Sequence, residues 1–548
     1  MGTGDRKPVM RLREFANTRL ARSWWVPLAV AGLLASLLMP LPSSAQVPAI
    51  SEGVVCNTSP SPNPSFVLNA TKGYISTPDG NSLFMWGYSL GNNSFQYVGP
   101  TICVNEGDKV SITLKNALPV PTSLNFPGIT GVKVNGAPAS YDAATSSLTT
   151  PAQPNASVTY SFLADHPGTF TYESGTNPQL QVLMGMVGAF IVRPTKVSAA
   201  FCDGSTPAQS PAAPQTIKVS FVYDACSSAY SPGHEFMHLL TEIDPHMHHA
   251  LELATCQQLF QAAGSGGTLS PDKAGNMTWT PPTGSAEAPL TCTPATVADP
   301  NLLHVYDMTQ YQPRYWMING RSFPDTITPN FSTSVPTQPY GALVHILPTC
   351  PAPDSFQGSS TTQCPDPSPT SPDYNPLPSL VRFLNGGPVA YPFHPHGDHD
   401  SQLGLDGRVL INPTGGPGGT PVNTSVDRFD VVVPPAQTID VTFGWVDAQQ
   451  WDPTTNPIGV SQPQAQNLIA GPYWSGSAYL GQKLPLLNGT TQWNQCGEYY
   501  QFAHSHALFQ VTNYGTPGGG MLTFIRVDPP PSLQQKYGTS CSGGMGYN

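Results

Sequence analysis

Two stretches far apart in the chain, Tyr391-Pro-Phe-His-Pro-His-Gly-Asp-His399 and Tyr500-Gln-Phe-Ala-His-Ser-His-Ala-Leu-Phe-Gln510, each hold a His-x-His pair. Side chains alternate faces along a strand. His394 and His396 therefore leave one face, His504 and His506 leave one face, and two neighbouring strands can turn all four imidazoles toward one point. Imidazole is a common ligand for copper and zinc, so these four are candidate metal ligands, with His399 as a possible addition. The bland alternative is a set of hydrogen-bonded core histidines that bind nothing. Four clustered imidazoles without a metal, however, disfavour one another's protonation, and each needs a separate partner.

Ten of the 13 histidines fall in three short windows, and the densest runs from His234-Glu-Phe-Met-His238 to His246, His248 and His249. His-Glu-x-x-His on a helix puts both histidines on one face to bind zinc, with Glu235 as general base, which is metallopeptidase chemistry. Ser231 as cap, Pro232 in the first turn and Pro245 beyond the end suit such a helix. A five-residue match is weak evidence, and the segment Glu235–Ile243 reads equally as a strand. The other outcomes are a second metal site drawn from His234, His238, His246, His248 and His249, or a solvated loop with incidental histidines.

The elements that would carry these residues read as β-structure. Short β-rich runs recur at 109–114, 158–162, 169–172, 216–222, 342–347, 429–433, 438–443 and 521–527, separated by Gly, Pro, Asn and Ser clusters. Helical periodicity is scarce; 248–261 is the other candidate. Pro- and Ser-rich stretches mark a linker at 205–214 and insertions at 265–300, 351–378 and 451–485. The expected order is a leader at 1–45, a first sandwich at 50–200, a linker at 201–213, a second sandwich with large insertions at 214–530, and a tail at 531–548. A third small domain within 213–340 stays open.

A basic segment, an apolar run from Trp24 to Leu41 broken by Pro27 and Pro40, and the small residues Ser43, Ser44 and Ala45 form a secretory signal with cleavage expected after Ala45. The chain is thus expected in an extracellular or periplasmic space, with no stable membrane span after cleavage. All ten cysteines follow the leader, so up to five disulfides are expected; Cys256 with Cys292 and Cys350 with Cys364 would staple loops, though connectivity is not legible. No Cys-x-x-Cys pair is present, which argues against a zinc ribbon. The net charge of −11, with only 10% charged residues, argues against nucleic acid or anionic lipid as a partner.

Several segments, in order, resemble the multicopper oxidase superfamily, whose domains are cupredoxin-like Greek-key sandwiches. In the first half these are Asp165-His-Pro-Gly-Thr-Phe-Thr-Tyr-Glu-Ser-Gly175 and Met184-Gly-Met-Val-Gly-Ala-Phe-Ile-Val-Arg-Pro194. In the second they are Ile318-Asn-Gly-Arg-Ser-Phe-Pro-Asp-Thr326, Val381-Arg-Phe-Leu-Asn385, Phe429-Asp-Val-Val-Val-Pro-Pro435 and Gly519-Gly-Met-Leu-Thr523. The resemblance implies an all-β chain of tandem cupredoxin-like sandwiches with long Pro/Gly-rich insertions. It places His394, His396, His504 and His506 where the family ligates its coupled copper cluster.

The same resemblance marks departures. Tyr391 stands for the first blue-copper His, Ser505 for the Cys, Gln510 for the last His and Gly515 for the axial residue. A serine hydroxyl does not supply the soft anionic sulfur such a centre needs. Tyr172-Glu-Ser-Gly175 stands where the family reads Tyr-His-Ser-His, and 125–128 lacks the other expected His-x-His. Glu173 is then a carboxylate candidate for the metal by position alone. The implied function is a secreted, copper-binding, multicopper-oxidase-like protein without a blue-copper centre, acting on a small molecule or metal ion if it is an enzyme. Zinc is the alternative metal. A non-catalytic extracellular scaffold and a zinc peptidase are the alternative functions. Catalytic residues and any redox or structural partner are not named by the sequence.

Overall fold

The computed structural model describes residues 52–91, 93–197, 219–254, 266–271, 277–285, 289–292, 305–346, 377–397, 399–444 and 499–527. The expected leader, linker and tail, most of the insertions, and the expected pairings of Cys256 and Cys350 lie outside them.

The described chain is all-β, as the alternating runs predict. Lys109–Asn116 buries every second residue, Val110, Ile112, Leu114 and Asn116, the period-2 pattern of a strand with one face on a core. It pairs parallel with Ser65–Ser76 and antiparallel with Ser157–Leu163 in a six-stranded sheet. A three-stranded sheet of Gly99–Asn105, Val187–Arg193 and Gly168–Glu173 faces it. Trp86, Phe126, Tyr160, Phe162 and Phe190 fill the space between, with Phe126 ringed by Tyr160, Phe162 and Phe190 at 4.8–6.3 Å. Each such side chain contributes about 1.5–3 kcal/mol on burial. Cys56 and Cys103 form a disulfide across the start of this sandwich, and Cys226 is also disulfide-bonded.

The second sandwich has a nine-stranded and a five-stranded sheet. Glu235–Ile243 lies inside the larger one, antiparallel to Tyr315–Ile318 and parallel to Ser379–Asn385. The smaller sheet runs Val344–Ile346, Leu522–Val527, Tyr499–Ser505, Tyr391–Pro395, Val431–Val433. Both His-x-His stretches therefore sit on adjacent strands. A separate three-stranded sheet, Thr268–Pro271, Met277–Thr280 and Leu290–Cys292, falls within 213–340.

Buried charge joins the sandwiches. Arg382 is fully buried; its Nε donates to Glu235 Oε1 at 2.7 Å and its Nη1 to Thr169 Oγ1 at 2.7 Å, with Asp440 Oδ1 at 3.4 Å. Arg193 and the Tyr230 hydroxyl donate to Glu235 Oε2 at 2.8 and 3.0 Å, and the Tyr223 hydroxyl to Asp440 Oδ2 at 2.6 Å. Thr169 and Arg193 belong to the first sandwich; Glu235, Arg382 and Asp440 belong to the second. Removing one partner of a buried pair strands the other charge, at a cost of about 3–5 kcal/mol. Arg382→Met should lower unfolding free energy by about that amount in denaturant titration. A loss below about 1 kcal/mol would show that the pair does not hold the fold.

Candidate metal centre

The strand Tyr391–Pro395 alternates between buried and half-buried residues, so Tyr391 and Phe393 point into the sandwich and His394 points out. Its neighbour Tyr499–Ser505 runs antiparallel in the register that sets His394 opposite His504 and Phe393 opposite Ser505. Cross-strand partners leave the sheet on the same side. His394 and His504 therefore share the outer face, and Ser505 shares the inner face with Phe393. His396 and His506, each two residues further along, extend the outer set.

The four rings form one cluster. His394 lies 4.9 Å from His396, 5.7 Å from His504 and 4.8 Å from His506 between centroids, and His504 lies 6.0 Å from His506. His396 Nε2 donates to His504 Nε2 at 3.0 Å, a proton that a shared metal would replace. The other nitrogens fix the tautomers. His394 Nδ1 donates to Phe429 O at 2.9 Å, His504 Nδ1 to Ser505 O at 2.8 Å, and His506 Nδ1 to Asp430 Oδ2 at 3.0 Å. Carbonyl and carboxylate oxygens only accept, so each of these rings carries its proton on Nδ1 and turns the Nε2 lone pair outward.

Two imidazole nitrogens about 2.0–2.1 Å from one ion stand roughly 3.0–3.4 Å apart at interligand angles near 95–110°, so the His396–His504 gap suits two ligands of one metal. Burial pushes His396 down to about 4, and the neighbouring His504, His394 and His506 push the same way; burial also lowers His504. Both stay neutral near pH 7, the form that ligates. Among the described residues no three His, Cys, Asp or Glu side chains already surround one point. The cluster therefore presents a ligand pair with two more imidazoles beside it, short of a finished coordination shell.

Asp430 is the residue that pattern reading missed. Its Oδ2 accepts from His506 Nδ1 at 3.0 Å and its Oδ1 lies 3.3 Å from His394 Nδ1, so one carboxylate orients one ring and sets a negative charge beside a second. The motif Phe429–Pro435 contained it, but only pairing of Val431–Val433 with Tyr391–Phe393 brings it to the histidines. His399 is exposed and lies 6.1 Å from the Phe429 ring, at the edge of the cluster.

On the inner face, hydrogen bonds occupy the altered positions. Ser505 Oγ donates to Gln510 Oε1 at 2.5 Å, both buried, and the buried Tyr391 hydroxyl donates to Glu242 Oε2 at 3.2 Å. Gly515 sits in an exposed turn at φ 83°, where it offers no side chain.

Residues 80–197 match the multicopper oxidases as a family. The chain carries a multicopper oxidase domain. Over 99 residues it is 33% identical to laccase abr2 of Aspergillus fumigatus, a match spanning 18% of this chain and 16% of that laccase. Loose structural likenesses include the blue copper oxidase of Nitrosomonas europaea, with 14% identity over 84% of this chain and 85% of that one at a TM-score of 0.42. The copper nitrite reductase of the same organism shows 13% identity over 85% and 94% at 0.39. Both His-x-His stretches lie outside residues 80–197.

Within the multicopper oxidase domain, Glu173 ends the strand Gly168–Glu173 and opens on a cavity that none of the four clustered histidines lines. The structure therefore does not bring Glu173 to the imidazoles. The dense window is also not one site. His234-Glu-Phe-Met-His238 leads into a β-strand, not a helix, because Glu235–Ile243 is paired on both sides. Residues four apart on a strand are about 13 Å apart, too far to share a zinc ion. Glu235 is unsuited to act as a base: burial works against its charge, but Arg382 and Arg193 outweigh it and hold its carboxyl below the usual range.

His234 is bonded to Ser231 Oγ at 3.1 Å. His246 and His248 sit on the helix Pro245–Ala254, where His248 is buried with Nδ1 2.6 Å from Phe84 O and Nε2 3.1 Å from Leu183 O. His249 points to solvent, 3.3 Å from Glu252. The helix thus sends adjacent histidines in opposite directions.

His238 is buried between Phe383 and Phe393 and its Nε2 donates to Ala342 O at 3.0 Å. Burial lowers its pKa to about 4. The unfolded chain, with an ordinary His, binds more protons between pH 6.5 and 4, so stability from this group is present above 6.5 and lost as pH falls toward 4; the shift amounts to about 3 kcal/mol. His238→Phe should be less stable than the parent at pH 7 by about 1 kcal/mol for the lost hydrogen bond, yet match or exceed it near pH 4. Parallel pH dependences of the two in urea unfolding would contradict this.

Proposed function

We propose that this protein binds copper on the outer face of its smaller C-terminal sheet, with His396 and His504 as the primary ligands and His394 and His506 beside them. The observation that carries the reading is the facing pair of Nε2 atoms, together with three rings whose Nδ1 protons are already committed to oxygen acceptors. Copper held there would supply a one-electron redox couple. The residues of the chain keep the imidazoles neutral, fix their tautomers through Phe429, Ser505 and Asp430, and set the ring spacing through the strand register.

The inner face supports no second, thiolate-bound copper. Ser505 and Gln510 satisfy each other, and a hydroxyl lacks the soft anionic sulfur that gives a blue-copper site its intense colour. Any oxidation by this chain would begin at the histidine cluster. The leader-like N-terminal segment and the Cys56–Cys103 disulfide support export to an oxidising compartment. Among the described residues no helix is long and apolar enough to cross a membrane.

Copper-loaded, dialysed protein should retain about one tightly held copper ion with imidazole couplings in its paramagnetic spectrum and no intense blue band. Joint replacement of His504 and His506 by Ala should remove that copper while the far-ultraviolet dichroism stays unchanged. Retention of copper by the double variant, or an intense blue band in the parent, would overturn the assignment. Asp430→Asn should weaken copper binding by roughly 10–100-fold without changing stoichiometry, because carboxylates that orient a ligand typically contribute that much; unchanged affinity would remove Asp430 from the site.

A further inference from the structure

A cavity of about 320 Å³ opens between the two sandwiches, away from the histidines. Val182 and Leu183 wall it from the first sandwich, Met308 and Tyr311 from the connecting segment, and Pro388 from the second, so it is mainly apolar. Its size lies at the lower end of the range for small-molecule sites, which typically run about 300–1,000 Å³ and carry few polar groups.

Among the described residues its polar lining is Glu173, Gln179, Tyr311 and Asn385, with Glu173 the one acidic group. The Glu173 carboxyl lines it, and burial, opposed by an Asn125 hydrogen bond, raises its pKa to about 7. Behind it the Tyr311 hydroxyl lies against Glu242, whose pKa burial also raises to about 7. Among the described residues no Lys, Arg or His lines the cavity. The buried Glu235, by contrast, has its cations in Arg382 and Arg193. An anionic ligand would face like charge here, and a neutral apolar one would leave the carboxyl without a counter-charge.

We propose that this interdomain cavity binds a small organic ammonium, an amine carried on a one-ring apolar body, with the ammonium against Glu173 and the ring against Val182, Leu183 and Met308. Charge complementarity selects the head group, and the apolar wall and volume select the body.

Calorimetric titration of the purified chain tests this, with a chelator present so that amine–copper contacts at the histidines do not contribute. At pH 8 benzylammonium should bind at least ten-fold more tightly than benzyl alcohol of the same shape, and benzoate should not bind. Lowering the pH to 6 should weaken benzylammonium binding as the carboxyl protonates. Glu173→Gln should bring benzylammonium down to the level of the alcohol. Gln179→Trp, at an exposed position on the cavity wall, should abolish binding of both and stands in if Glu173→Gln does not fold. Equal affinity for amine and alcohol, benzylammonium binding unaffected by Glu173→Gln, or binding that survives Gln179→Trp would each overturn the proposal.

Discussion

The ion pair between Glu235 and Arg382 is the constraint on which the arrangement rests. Both side chains are essentially withdrawn from water, and such a pair is tolerable only when each remaining donor and acceptor is met. Arg193, Tyr230, Thr169 and Asp440 meet most of them, and they come from both sandwiches. The desolvated charges thus make domain docking a condition of folding. The parallel pairing of Glu235–Leu240 with Leu380–Asn385 follows, because that register sets Met237 beside Arg382 and leaves Glu235 one pleat away, within reach of the guanidinium.

The same two-residue period governs the candidate centre. A sheet separates residues n and n+1 onto opposite sides, so a change on one side leaves the other intact. Tyr391, Ser505 and Gln510 fill the inner side with their own hydrogen bonds, whereas His394, His504 and His506 keep their places on the outer side. An inner copper could disappear from such a scaffold without disturbing the outer histidines.

That period also explains what was legible in advance. The convergence of His-x-His on one face needs only alternation, and the observed register places His394 opposite His504 as adjacent strands require. His234-Glu-Phe-Met-His238 misled because spacing by four is meaningful only on a helix, and the capping residues Ser231 and Pro232 act here as a turn before a strand. Nothing in the sequence linked Arg382 to Glu235, since their union depends on a parallel pairing across 147 residues. Asp430 was hidden for the same reason: its value to His394 and His506 comes from a third strand, Val431–Val433, lying against Tyr391–Phe393. Glu173 was placed by family position, and position does not reveal that its carboxyl opens on an apolar cavity.

Charge accounting separates frame from chemistry in this sparsely charged chain. Where a buried ionic group has a partner, as with Glu235, Arg382 and Asp440, the low-polarity surroundings strengthen the attraction and the group is inert. Two part-buried sets among the described residues differ from these. The imidazoles His396 and His504 are kept neutral by burial and by one another, so they offer lone pairs and gain most from a metal cation. Glu173 and Glu242 are held near neutral pH values by burial with no basic side chain among the causes, so they gain most from a cation as well. The difference lies in geometry: facing nitrogens 3.0 Å apart leave space for an ion alone, whereas a cavity of about 320 Å³ with an apolar wall leaves space for a molecule. Shape as well as burial therefore decides what each incomplete set can hold.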